Sequence, residues 1–204
     1  MREVVVAGVG MTPFGVFPDR RLEDLIYEAG KEALSDAGLW EARAAVQALY
    51  VGNFSSEGFN RQNHLAPIAV RALGLVGVPA TRTEGACASS GVALRESALL
   101  VGSGVYDVVL VVGVEKMNAL ETAGITRVLG EAAHAEEELA AGATFPSLFA
   151  MIAKRHMHQY GTTREMLSSV AVKNHRNGLR NPRAHMRKEI TLEKAMNASP
   201  ICEP

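Results

Sequence analysis

Thr83-Glu84-Gly85-Ala86-Cys87-Ala88-Ser89-Ser90-Gly91 sets one cysteine among small residues, between a strand-like segment and a helical one. Gly77-Val78-Pro79 leads into a short strand ending at Glu84, and Ala88 to Gly102 reads as a helix with Val92, Ala93, Leu99 and Leu100 on one stripe. A turn from strand to helix presents its side chain at an exposed apex. In open α/β sheets that place, beyond the carboxyl ends of the strands, is where ligands bind. The unpaired N–H groups of a helix N-terminus favour negative charge, the condition under which a thiol becomes a reactive thiolate. Gly85, Ala86, Ala88 and Gly91 leave the sulfur unshielded. Cys87 is therefore the candidate nucleophile, set against the ordinary alternative that a free cysteine packs as a small hydrophobe.

Working outward, Val4 to Gly10 is apolar without alternation, the pattern of a strand covered on both faces of a parallel sheet. Leu22, Leu25, Ile26, Ala29, Ala33, Leu34 and Ala37 then recur at helical spacing, with Gly38 as a stop. Gln47 to Gly52 reads as a second strand. Gln62 to Leu73 reads as a second helix with Leu65, Ile68, Ala69 and Ala72 inward, Pro67 being tolerable only near its first turn. Asp107 to Val114 supplies a fourth strand. Strand and helix thus alternate three times before it, and residues 1–118 are expected to form an α/β layer of βαβαβαβ order with a mostly parallel sheet.

After Asn118 the texture changes, and residues 119–204 are expected to form a mainly helical subdomain. Pro146 to Tyr160 is read as a helix with Leu148, Phe149, Ile152 and Met151 inward and Gly161 ending it. Thr162-Thr163-Arg164-Glu165 offers a capping box, Thr162 to Glu165, for a helix carrying Met166, Leu167, Val170 and Ala171. Thr191 is expected to cap a short final helix. Glu131, Glu136, Glu137 and Glu138 read as a solvated face.

Composition narrows the classes of partner. A formal net charge of -1 gives no general attraction to nucleic acid or an anionic membrane, so a phosphate-bearing ligand needs local groups. Two cysteines, Cys87 and Cys202, make no disulfide framework, and Met1-Arg2-Glu3 lacks the look of a signal peptide. A cytoplasmic location is the expectation. The apolar run Val108 to Val112 is far shorter than the ~20 residues of a membrane-spanning helix.

Acyl transfer by a cysteine also calls for a base and a second oxyanion donor. His64, His134, His156, His158, His175 and His185 lie in no context that points them at Cys87. No Cys/His spacing matches a metal site. Gly8-x-Gly10 lacks the third glycine of a dinucleotide fingerprint.

Glu84 to Gly91, followed by Gly113-Val114-Glu115-Lys116-Met117-Asn118, resembles the N-terminal half of a thiolase. Val172-Lys173-Asn174-His175-Arg176-Asn177, Asn181-Pro182 and Glu189-Ile190-Thr191 resemble the branch of sterol-carrier-protein-x thiolases and acetyl-CoA acetyltransferases. The resemblance implies that Cys87 takes an acyl group from acyl-CoA or 3-ketoacyl-CoA, with coenzyme A as substrate, no bound cofactor, and lipid metabolism as the setting. It implies that residues from 119 onward form a loop domain covering the core and holding CoA, with Phe145 and Ser147 near the pantetheine. It also implies a homodimer through the third strand and third helix.

A complete thiolase has a second half that supplies the base, a second catalytic cysteine and a further oxyanion hole. Cys202, in Ile201-Cys202-Glu203-Pro204, does not match that second cysteine. The expectation is that this half is absent from the sequence, with three alternatives open: a separate polypeptide supplies it, the chain is a truncated or degenerate product, or the chain binds acyl-CoA without turning it over; the sheet edge left open favours an oligomer or complex. Two other readings stand beside the acyltransferase: a non-catalytic fragment that binds acyl-CoA or serves assembly, and a ketoacyl synthase-like condensing enzyme.

Overall fold

The computed structural model describes residues 1–202. The chain divides into two units, Met1–Thr12 with Phe17–Glu121, and Pro13–Val16 with residues 122–204.

The first unit is built on a parallel three-stranded sheet, β1 (Ala48–Gly52), β2 (Ala80–Thr83) and β3 (Val109–Gly113), in the order β2-β1-β3. β1 is central, with Gly52 opposite Thr83 on one side and Gly113 on the other, so the three carboxyl ends are level. Around it lie α1 (Leu22–Asp36), α2 (Ser56–Asn60), α3 (Leu65–Leu73) and α4 (Ser89–Ser103). Side chains alternate across a strand. Leu49 and Val51 of β1, with Leu110 and Val112 of β3, join Leu22, Ile26 and Leu34 of α1 and Leu65, Ala69 and Leu73 of α3 in one buried cluster. Gly52 and Gly113 point to the other face, against Ser90 of α4.

The α/β class and parallel sheet are as expected, while several elements differ in detail. Val4 to Gly10 is extended but is not a strand of this sheet, and Val5, Val6 and Val9 are exposed. Gly8 and Gly10 instead lie directly on the backbone of α1, where the Val9 N–H donates to the Asp36 carboxylate and the Met11 N–H to Glu32. Apolar composition specifies an extended covered segment, and pairing additionally needs a neighbouring strand; among the described residues none lies against it. α4 also turns differently from its apolar stripe. Its buried residues are Ser89, Ala93, Ser97 and Gly102, and Leu94 and Leu99 face outward. Small residues let the helix approach the sheet closely, which the hydrophobic pattern alone does not register. Pro67 falls in the first turn of α3, where it is tolerated.

The second unit is helical: α5 (Thr122–Gly130), α6 (Phe145–Tyr160), α7 (Arg164–Leu179) and α8 (Leu192–Met196). Phe149, Met151 and Ile152 of α6 are exposed, against the expectation that they face inward, while Leu148 is half-buried; Met166, Leu167 and Val170 of α7 are exposed too. Periodicity identified these helices correctly, but much of their apolar surface stays uncovered among the described residues. Thr163, not Thr162, caps α7 by accepting from the Met166 N–H at 3.2 Å, and the Thr162 hydroxyl meets His156 Nδ1. Thr191 caps α8 as expected, accepting from the Lys194 N–H at 3.1 Å.

Candidate active site

Between β2 and α4 the chain makes a tight turn whose backbone is held by its own small residues. Gly85 is extended, Ala86 takes the left-handed conformation with φ +48°, and Ala86–Ala88 form a single 3₁₀ turn that leads into α4. A non-glycine residue in that region is uncommon and is kept only where its surroundings fix it. Here the Ser89 hydroxyl fixes it. It is buried, accepts from the Gly85 N–H at 3.0 Å and donates to the Ala86 carbonyl at 2.7 Å. The Glu84 carboxylate accepts from the Ala86 N–H at 2.5 Å. Cys87 rides on this turn, exposed and in no disulfide.

The glycines at the strand ends set how near the turn comes to the sheet. A Cβ on Gly52 would stand 2.4 Å from Ser90 Cα, and one on Gly113 would stand 2.2 Å from Ser90 Oγ. Both distances are far below van der Waals contact, so only glycine leaves space for the first turn of α4. The Thr83 hydroxyl donates to the Ser89 carbonyl at 3.0 Å and ties the end of β2 to the same turn.

A polar cluster lies immediately beyond the strand ends. Glu115 accepts from the Phe54 N–H at 2.8 Å, the Ser55 N–H at 3.3 Å and Asn53 Nδ2 at 3.0 Å. Asn53, 1% exposed, also donates to the Val114 carbonyl at 2.8 Å and accepts from the Ser56 N–H at 3.0 Å. From the other side Arg82 donates to the carbonyls of Asn53 at 3.3 Å and Phe54 at 2.7 Å, and pairs with Glu57 at 2.9 Å. Burial pushes the Glu115 carboxyl above the ordinary glutamate value, against the pull of its N–H donors and the Arg82 charge. Burial also opposes ionisation of Glu57, but the bond to Arg82 and its other hydrogen bonds outweigh it and hold that carboxyl below the usual range. Sequence reasoning used Glu115 only as part of a motif. A glutamate two residues past an apolar strand was the available signal that it closes the strand ends.

The other expected site residues lie in the second unit. Phe145 begins α6 and its ring is tilted against Phe149, with centroids 5.8 Å apart. The Ser147 hydroxyl completes a capping box, accepting from the Thr144 N–H and donating to the Thr144 carbonyl, each at 2.8 Å. Ser147 also lines a recess of about 530 Å³ with Lys154, Arg155, His158 and Cys202. Among the described residues, no histidine is hydrogen-bonded to the Cys87 sulfur, and no group of three or more His, Cys, Asp or Glu could hold a metal ion. No described helix is long and apolar enough to cross a membrane.

The fold and the site together define a class: a parallel α/β layer with an exposed cysteine at the turn from a strand to a helix. Residues 4–199 match the family model for the thiolase N-terminal domain, and the chain belongs to that family. It is 44% identical to the acetyl-CoA acetyltransferase of Methanothermobacter thermautotrophicus over 204 residues, covering all of this chain and 52% of that protein. Against sterol carrier protein 2 of Gallus gallus the identity is 32%, covering 98% of this chain and 37% of the other. A solved structure titled Ltp2-ChsH2(DUF35) aldolase superposes with a TM-score of 0.77 at 28% identity, over 97% of this chain and 49% of that one. The chain thus spans about half the length of the archaeal relative it matches, and less of the other.

Proposed function

We propose that this chain carries the nucleophile-bearing part of a thiolase-type acyl-CoA acyltransferase, with Cys87 as the nucleophile. One observation carries the reading: an exposed thiol on a turn that keeps Ala86 in the left-handed region and is bolted by Ser89. Such strain is expected where a reacting atom must be held at an apex. The Cys87 thiolate attacks the carbonyl carbon of an acyl-CoA, and a new carbon–sulfur bond forms as the bond to CoA breaks. The CoA thiolate leaves and takes up the proton that Cys87 gave away. The backbone N–H of Cys87 serves as one oxyanion donor. CoA, or the enolate of acetyl-CoA, accepts the acyl group in the second half-reaction.

The relatives' names support acyl-CoA as the substrate class. The base and the second oxyanion donor are supplied, in this reading, by polypeptide outside residues 1–204, on the same chain or a separate one. The reading also includes a homodimer through β2 and α4, a cytoplasmic location and a role in lipid metabolism. Phe145 and Ser147 are the residues proposed for the pantetheine arm; the Ser147 hydroxyl and N–H are both engaged with Thr144 at the helix cap.

A second reading, a non-catalytic acyl-CoA-binding or assembly fragment, is favoured by the lack of a hydrogen-bonded base at Cys87 among the described residues. Exchange of isotopically labelled CoA into acetyl-CoA separates the two, because it needs only the reversible first half-reaction. Exchange that disappears in Cys87→Ala supports the acyltransferase. Binding of acetyl-CoA without exchange, in the chain alone and with a complementing second half, supports the fragment.

A further inference from the structure

The Asn53–Arg82–Glu115 cluster takes no part in the acyl transfer outlined above, yet an unbroken series of hydrogen bonds joins it to the turn that bears the thiol. We propose that Glu115 is a positioning residue for Cys87, acting through Asn53 and Thr83; the proposal rests on the nucleophile reading above. Glu115 holds the N–H groups of Phe54 and Ser55 while Arg82 holds the carbonyls of Asn53 and Phe54, so the segment after β1 is gripped by opposite charges from two sides. The gripped segment in turn donates the Asn53 N–H to the Thr83 carbonyl at 3.2 Å. Thr83 is the last residue of β2, and its hydroxyl donates to the Ser89 carbonyl, whose residue bolts the Cys87 turn. Backbone continuity from Thr83 through Glu84 to Gly85 runs alongside this route.

The arrangement exceeds what closing a sheet end requires. A neutral amide cap would avoid burying a carboxylate, whose desolvation is costly. A carboxylate accepts from all three donors at once, whereas glutamine in its place presents an N–H₂ group to one side of the same donors. Replacing Glu115 with glutamine therefore loosens one of the two charged grips on the segment, so that it can shift away from residue 115 and carry the Thr83 end of β2 with it. The charged groups facing Glu115 are Arg82 from β2 and, through Arg82, Glu57 from α2.

The test uses the full 204-residue chain carrying Cys202→Ser, so that Cys87 alone reports. The rate of Cys87 alkylation by iodoacetamide is measured across pH in this parent, in Glu115→Gln, in Arg82→Lys and in the surface control Glu96→Gln, each checked for folding by circular dichroism. Glu96 is half-buried, and among the described residues its carboxylate pairs with the neighbouring Arg95. The expected result is alkylation slowed about tenfold at neutral pH in Glu115→Gln, with a rate–pH profile that no longer superposes on the parent's as the thiol leaves its place at the start of α4. Arg82→Lys, which keeps the charge but cannot span both carbonyls, should fall between, and Glu96→Gln should match the parent. If Glu115→Gln does not fold, Arg82→Lys decides the matter by the same criterion. Folded variants that match the parent in rate and pH profile overturn this inference alone. A parent thiol no faster than free cysteine overturns the nucleophile reading and this inference with it.

Discussion

The Ser90 hydroxyl lies so close over Gly113 that a Cβ there would stand 2.2 Å from it. This single contact fixes the height of α4 above the end of β3, and with it the turn three residues earlier that carries Cys87. Gly113→Ala forces either Ser90 or the strand end to move. We expect a loss of about 1–3 kcal/mol, the usual cost of overpacking, read from urea denaturation. Gly91, with nothing within 4 Å of its added Cβ, is the contrasting site. There alanine should be neutral or stabilise by roughly 0.5–1 kcal/mol, since glycine is costly within a helix. Equal stability of Gly113→Ala and the parent would show that α4 does not seat on this glycine.

Leu49 sits at the centre of the first unit's buried cluster with no exposed surface. Leu49→Ala should destabilise by about 2–5 kcal/mol in the same urea assay, because the surrounding residues of two helices and two strands cannot all collapse into the space. A change below 1 kcal/mol would mean that the cluster is not close-packed.

The pH dependence of stability should carry opposite signatures from Glu115 and Glu57. The Glu115 carboxyl is raised above the ordinary value of 4.5, so its folded form binds a proton more tightly than the unfolded chain does. Its contribution is present below that value and is lost as pH rises through the higher folded value. Stability of the parent relative to Glu115→Gln should therefore decline from acid toward neutral pH. Glu57 is lowered, so its contribution is present above the ordinary value and lost on acidification. Relative to Glu57→Gln the parent should gain from acid toward neutral pH. Denaturation midpoints for the three proteins at several pH values check both signs, and the same sign for both variants would contradict the account.

Thr163→Ala should cost the second unit roughly 1 kcal/mol as the cap of α7 is lost, measured by thermal melting. Thr162→Ala should cost less, since the Thr162 hydroxyl contacts only His156 Nδ1. The reverse order would place the helix start one residue earlier.

Much of the first unit was legible in the sequence because its signals are local. The β-branched run at Val108 to Val112, the helical spacing after Leu22 and the small residues around Cys87 each specify an element directly, and the strand–turn–helix at Cys87 follows from their order. What escaped was relational. Val4 to Gly10 has a strand's composition, but pairing depends on a neighbour that the segment itself does not encode. α4 hides its small face and shows Leu94 and Leu99, because closeness to Gly52 and Gly113 outweighs apolar area there. The exposed apolar sides of α6 and α7 reflect the same limit, since periodicity marks a face to be covered without naming the cover. Within the candidate site Cys87 stood out as a lone reactive type among small residues. Asn53, Arg82 and Glu115 did not, since they are 29 to 62 residues apart in sequence and meet only because the strands that lead to them end level.

The most direct test of the central claim is the mass of the intact protein after incubation with acetyl-CoA, followed by peptide mapping with Cys87→Ala as control. The account predicts one acetyl group per chain, located on Cys87, released by hydroxylamine as a thioester must be, and absent from the variant. An unmodified Cys87, or acetylation that persists in Cys87→Ala, would contradict it.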